Sequence, residues 1–331
     1  MVKDKIKIVV ALPESRYSCG QFAQSVLSSP DLRKKIEFLY SESKEQLEQL
    51  IGQAKILVSL SVKKDIFLKA KKLKWIHLGV AGVDKTLFPE MLQSKVLLTS
   101  SKGIHQITIS EHVIGLILAF SKGIASSIKA QSERKWLQRE LIDKRFTLEK
   151  KVLGIVGLGN IGLELARKAK VFDMKVIGLK NKIRKGEKYK NVDLLLNKKK
   201  LPELLRQSDF VVLLVPLTKE TYHLIAKKQL ELMKKEAYLI NVARGPIVNE
   251  KDLITVLKNK RIKGAGLDVV ENEPLEAGSP LYDLDNVIIT PHIAGSMPDY
   301  YKKVGEIFHK NLIRYLSNKP LLNLVDKKKG Y

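Results

Sequence analysis

The sequence predicts an α/β protein of two domains, each built on a mostly parallel sheet covered by helices. Three observations lead there. The chain has 331 residues, about twice the roughly 150 of a single domain. Short β-rich runs alternate with helical patterns in two series, one on either side of a long apolar helix. The second series opens with a glycine-rich turn set between a strand and a helix, the arrangement of a doubly wound sheet.

In the first series, Lys7 to Ala11, Glu37 to Tyr40, Ile56 to Leu60, Trp75 to Leu78 and Val96 to Thr99 are short and rich in β-branched and aromatic residues, so they read as strands. Lys44 to Ile51 and Asp65 to Lys71 carry helical spacing between them. From Ile109 to Ser121 runs the long apolar helix, followed by a polar stretch to Glu149. The domain crossing is placed near Ser100. The second series has strands at Val152 to Gly157, Lys175 to Gly178, Phe210 to Val215, Tyr238 to Val242, Gly264 to Val269 and Val287 to Thr290. Pro298 to Leu316 reads as a helix that carries the chain back to the first domain. The expected division is therefore 1–101 with 297–331 against 102–296.

Composition excludes several classes. With 44% hydrophobic and 29% charged residues the chain has the makeup of a folded globular protein. Its one cysteine, Cys19, forms no intrachain disulfide, which suits a reducing compartment such as the cytoplasm. The apolar run Ile8 to Leu12 is too short for a signal peptide. Val113 to Phe120, interrupted by Gly115, falls far short of a membrane span.

The net charge is +25, from 60 basic and 35 acidic residues, of which 49 are Lys and 11 Arg. A nucleic-acid reader is expected to use Arg forks and interleaved aromatics. Here the lysines are spread along the chain, and the runs Lys198 to Lys200 and Lys327 to Lys329 have no aromatic neighbours. Neither a nucleic-acid nor a membrane partner is expected. The positive field still favours anionic substrates and phosphorylated cofactors.

The turn Gly157-Leu158-Gly159-Asn160-Ile161-Gly162 follows a strand and precedes the helical pattern LELARKAKVF. Glycines at those positions allow a tight turn, close approach of a pyrophosphate and close packing of helix on strand, while helix amides face the phosphates. Dinucleotide binding is the reading. An NAD site is expected to place an acid at the end of the next strand, about 20 residues on, for the ribose hydroxyls. Lys180 stands there instead, followed by Asn181, Lys182 and Arg184. A base in place of the acid favours NADP, with NAD as the second candidate.

Three further segments lie at strand ends: Asn241-Val242-Ala243-Arg244-Gly245, Leu267-Asp268-Val269-Val270-Glu271-Asn272-Glu273-Pro274 and Thr290-Pro291-His292-Ile293-Ala294-Gly295. With GLGNIG before them and VAGVD at residues 80 to 84, the chain resembles the D-isomer-specific 2-hydroxyacid dehydrogenases over almost its whole length. The resemblance implies two Rossmann-like domains, a dinucleotide-binding doubly wound parallel sheet and a flavodoxin-like substrate domain. It implies that Arg244 binds the substrate carboxylate and polarises its keto group, that His292 exchanges the proton, and that Glu273 holds His292. A carboxylate beside an imidazole stabilises the protonated ring, which suits that task.

By the same resemblance the amides of Val80, Ala81 and Gly82 hold the carboxylate, and domain closure completes the site. Asp268 accepts from the nicotinamide carboxamide, Val215 and Pro216 line the cofactor, Thr221 supports their loop, and Val242, Ala243 and Ala294 are further cofactor-binding residues. The expected activity is reduction of a small 2-oxo acid to a D-2-hydroxy acid, in the manner of glyoxylate and hydroxypyruvate reductases, without a metal. A homodimer is expected, with the segment from about Gly103 to Trp136 as interface. A dinucleotide sensor or co-repressor of the same family is the alternative, against which the intact Arg, Glu and His set speaks.

Overall fold

The computed structural model describes residues 5–12, 15–27 and 30–330. The chain divides into two compact units, one of residues up to Ile104 with those from Met297, the other His105–Ser296. The outermost residues of the expected first domain, 1–4 and 331, lie outside the described residues.

The first unit holds strands β1 (Ile6–Ala11), β2 (Ile36–Tyr40), β3 (Ile56–Ser59), β4 (Trp75–Leu78) and β5 (Leu97–Ser100). They form one parallel sheet in the order β2-β1-β3-β4-β5, the flavodoxin-like order. Alternate residues face opposite ways along a strand, and both faces are covered. Ile8, Val10, Ile56 and Val58 enter one core with Phe22, Trp75 and Phe308. Val9 and Leu57 enter the other with Ile76, Leu78 and Met91. The helix Tyr300–Leu316 belongs here: Phe308 stacks on Trp75 at 5.0 Å and meets Phe22 at 5.2 Å between ring centroids. A fully buried Phe of this kind is worth about 3–5 kcal/mol against Ala.

Beyond Ser100 the chain stays in this unit for a few residues, because the Lys102 carbonyl accepts from Asn323 Nδ2 at 2.7 Å.

The second unit holds β6 (Val152–Val156), β7 (Lys175–Lys180), β8 (Leu194–Asn197), β9 (Phe210–Leu213), β10 (Tyr238–Asn241), β11 (Gly264–Leu267) and β12 (Val287–Ile289). All seven are parallel, in the order β12-β11-β10-β9-β6-β7-β8. The chain order reverses between β6 and β9, which makes that crevice the topological switch point of a doubly wound sheet. Leu153, Ile155, Val212 and Ile240 face the core beneath the helix Gln106–Ser121, while Val156, Leu213 and Leu239 face the opposite core.

β8 was not expected from the sequence. It is an edge strand with one buried residue, Leu196, and runs straight into three lysines, so neither alternation nor an apolar run marks it. The helices Ser15–Val26 and Pro30–Lys35 were likewise unmarked, the first because its spacing rests on Cys19, Phe22 and Val26 among polar neighbours. No single helix among the described residues is long and apolar enough to cross a membrane; the bent pair Gln106–Ser121 with Ile124–Ser132 passes on length and composition together.

Candidate active site

Because every strand of the second sheet runs the same way, all its C-terminal ends lie along one edge, and the residues singled out in the sequence follow those ends. β6 leads into Gly157, β9 into Val215 and Pro216, β10 into Arg244, β11 into Asp268 and Glu273, and β12 into His292. The last three strands are neighbours.

The glycine turn has three distinct jobs. Gly157 has a φ of +108°, and a Cβ there would lie 2.7 Å from the Leu214 carbonyl carbon. A Cβ on Gly162 would lie 2.9 Å from the Gly157 carbonyl oxygen and 3.1 Å from Ile155, so its absence lets the helix Asn160–Val171 sit on β6. A Cβ on Gly159 would meet nothing within 4 Å. That open space lies at the start of the helix, where no side chain caps the amides and no acid stands in the first turn. The residues present therefore fit a pyrophosphate at Gly159, Asn160 and Ile161.

His292 and Glu273 are brought together. His292 Nδ1 lies 2.8 Å from Glu273 Oε2, with the imidazole about half exposed. A ring whose Nδ1 faces a carboxylate presents Nε2 on its other edge. His292 has a φ of +56°, and its N–H donates to the Asp268 carbonyl at 2.8 Å. The buried Asp268 carboxylate holds the rest of that loop. Its Oδ1 accepts from Thr290 Oγ1 at 2.6 Å and Ile293 N at 2.9 Å, and its Oδ2 from Ala294 N at 3.0 Å.

Arg244 follows a turn shaped by Asn241, whose buried amide accepts from Ala243 N at 3.1 Å and donates to the Arg244 carbonyl at 2.9 Å. One arm of the guanidinium donates to the Ala243 carbonyl at 2.7 Å. The side chains of Val242 and Ala294 are buried in the core, which leaves only their main chains for a ligand. Thr221 Oγ1 donates to the Pro216 carbonyl at 2.6 Å and accepts from Thr218 N at 2.7 Å, so its hydroxyl ties the 216–221 loop.

In the first unit, Val80, Ala81 and Gly82 follow the end of β4, and the Val80 carbonyl accepts from Ser101 N at 3.0 Å. Lys180 ends β7 with Asn181 and Lys182 in the exposed loop after it. Its ammonium is engaged by Glu187 and by Tyr189 Oη, the latter at 2.7 Å.

Three contributors had no assigned part in the sequence reading. Asn241 and Thr290 stand inside the quoted motifs, and His112, on the helix Gln106–Ser121, reaches Thr290 Oγ1 with Nε2 at 3.0 Å. Helical spacing alone could not have placed His112 there. A second imidazole–carboxylate pair, His223 Nε2 to Glu271 Oε1 at 2.7 Å, ties the loop after Thr221 to the segment that carries Glu273. Among the described residues no cluster of His, Cys, Asp or Glu could hold a metal ion.

Residues 114–294 match the family model of the D-isomer specific 2-hydroxyacid dehydrogenase NAD binding domain, more than half of the chain. The chain belongs to the D-isomer-specific 2-hydroxyacid dehydrogenases. It is 36% identical over 292 residues to glyoxylate reductase of Thermofilum pendens, covering 86% of this chain and 85% of the relative. It is 34% identical over 295 residues to D-3-phosphoglycerate dehydrogenase of Methanocaldococcus jannaschii, covering 88% of this chain but only 55% of that protein, so it spans about half that relative's length. The NADPH-dependent glyoxylate/hydroxypyruvate reductase of Sinorhizobium meliloti, solved with NADP and sulfate, superposes with a TM-score of 0.84 at 26% identity, covering 99% of this chain and 100% of that one.

Proposed function

We propose that this dehydrogenase is an NADP-preferring reductase of small 2-oxo acids that forms D-2-hydroxy acids, with NAD as a second cofactor. The observation that carries the reading is the His292–Glu273 pair, whose loop Asp268 holds, on the same edge of the sheet as Arg244 and the glycine turn. The glyoxylate reductase relative and the NADP-bound neighbour support the substrate class and the cofactor.

In this proposal the amides at Gly159, Asn160 and Ile161 hold the pyrophosphate, Lys180 with Asn181 and Lys182 meets the 2′-phosphate, and Val215 and Pro216 line the middle of the cofactor. Asp268 has used three acceptor positions on its loop, and a carboxylate has about four, so one remains for a carboxamide N–H. A reduced nicotinamide, when bound, supplies a hydride to the carbonyl carbon. Arg244 binds the carboxylate with a fork of donors and draws electron density from the keto oxygen. His292 Nε2 gives its proton to the oxygen as the hydride arrives, and Glu273 stabilises the ring while it is charged. The balance is one hydride and one proton added across C=O, with the cofactor oxidised.

Initial rates with NADPH and NADH over glyoxylate, hydroxypyruvate, pyruvate and phenylpyruvate test the reading. Turnover of the smaller acids, faster with NADPH, is the expected result. Tight dinucleotide binding with no turnover of any acid would replace the reductase by a dinucleotide sensor.

A homodimer is part of the proposal. Ile124, Ile128 and Trp136 are 44%, 61% and 89% exposed on one short stretch of the second unit, apolar surface that a partner copy would cover. A solution mass of twice 37.4 kDa is expected, and a monomer at micromolar concentration would refute it.

A further inference from the structure

The end of β7 carries a built anion site that the chain fills with its own carboxylate. Three donors converge on Glu187: the Lys180 ammonium and Tyr189 Oη on Oε1, the latter at 2.6 Å, and Arg184 N on Oε2 at 2.8 Å. Tyr189 Oη also accepts from Lys180 at 2.7 Å, which closes the triangle. The loop between them adds Lys182, Lys185 and Lys188. A cation, a phenol and a main-chain amide form the kind of set that a phosphate monoester takes, with three acceptor oxygens and a charge of about −1.5 to −2.

We infer that Glu187 occupies the place of the cofactor's 2′-phosphate on Lys180 and thereby sets how strongly the enzyme prefers NADPH over NADH. The inference rests on the dinucleotide reading above. NADPH displaces the carboxylate from Lys180, because the phosphate brings the larger charge to the same donors. NADH leaves the Lys180–Glu187 pair intact, and the carboxylate then stands where the missing strand-end acid would accept from ribose hydroxyls. Glu187 thus weakens NADPH binding and supports NADH binding.

A proton does not empty this site in the working range. The Lys180 ammonium, then Tyr189 and the Arg184 amide, hold the Glu187 carboxyl down to about 2.

The test is equilibrium titration of the purified enzyme with NADPH and with NADH, read by nicotinamide fluorescence without substrate. Glu187→Gln is expected to lower the Kd for NADPH by about tenfold, since a like charge beside the phosphate is gone, and to leave the Kd for NADH unchanged or raised. The ratio of the two constants then moves at least fivefold. A ratio that moves less overturns the inference. Glu187→Ala carries the same test if the first variant does not fold: NADPH affinity rises relative to NADH affinity, and a parallel change of both overturns it. A parent enzyme that binds neither dinucleotide would instead remove the dinucleotide reading itself.

Discussion

A histidine held at positive φ costs of the order of 1–3 kcal/mol and persists only where its surroundings impose it. At His292 they do. Its N–H is bound to the Asp268 carbonyl, and the two residues after it hang by their amides from the Asp268 carboxylate. The result is an imidazole aimed by backbone, with Nδ1 on Glu273. If His292 is the proton donor, His292→Ala lowers turnover by roughly 10² to 10⁴ and leaves NADPH affinity within about twofold, because no cofactor donor is lost. Stopped-flow turnover beside a binding titration checks this, and an unchanged rate takes His292 out of the mechanism. That Arg244, Glu273 and His292 follow strand ends was legible in the sequence, because each of the three short segments continues an apolar β-rich run. Asn241, Thr290 and His112 were not, since their hydrogen bonds shape loops or reach across from another helix, and no spacing in the chain reveals that.

At the scale of the element, the glycine turn separates two demands that a motif conflates. Gly159 faces open space and has extended backbone that any residue adopts, whereas Gly162 is pressed against the Gly157 carbonyl. Gly159→Ala is therefore expected to melt within a degree or two of the parent yet lose about tenfold or more in dinucleotide affinity, its methyl standing in the phosphate cradle. Gly162→Ala is expected to lose about 1–3 kcal/mol of stability, as overpacked sites do. Calorimetry and titration on the pair decide; equal affinity for Gly159→Ala would mean that no phosphate lies there. The strands beside this turn were legible because both faces are buried and the runs are apolar. β8 escaped because an exposed edge strand needs only one buried residue, Leu196, and the helix Ser15–Val26 because little in its sequence but Cys19, Phe22 and Val26 marks a buried face.

For the molecule as a whole, acid stability follows from a buried histidine in the first unit. His77 is fully enclosed, its Nδ1 2.8 Å from Thr99 Oγ1 and its Nε2 3.2 Å from Ser101 Oγ, hydroxyls that satisfy a neutral ring. Burial pushes its pKa down from 6.5 to about 3. Between those values the unfolded chain binds a proton that the folded one refuses, so stability is fully present above pH 6.5 and falls as the pH drops toward 3, by up to about 1.4 kcal/mol per pH unit. Repulsion within a chain of net charge +25 grows over the same range and acts in the same direction, so the parent's acid sensitivity alone does not isolate His77. The difference between parent and His77→Gln does, because both carry the same background. Gln keeps hydrogen bonds to the two hydroxyls but does not titrate. The variant is expected to be less stable at pH 8 and to lose less on acidification, so that urea unfolding curves at pH 8, 6 and 4.5 bring the two proteins closer together as the pH falls. A gap that stays constant would place the acid sensitivity in the charge of the whole surface and not in this ring.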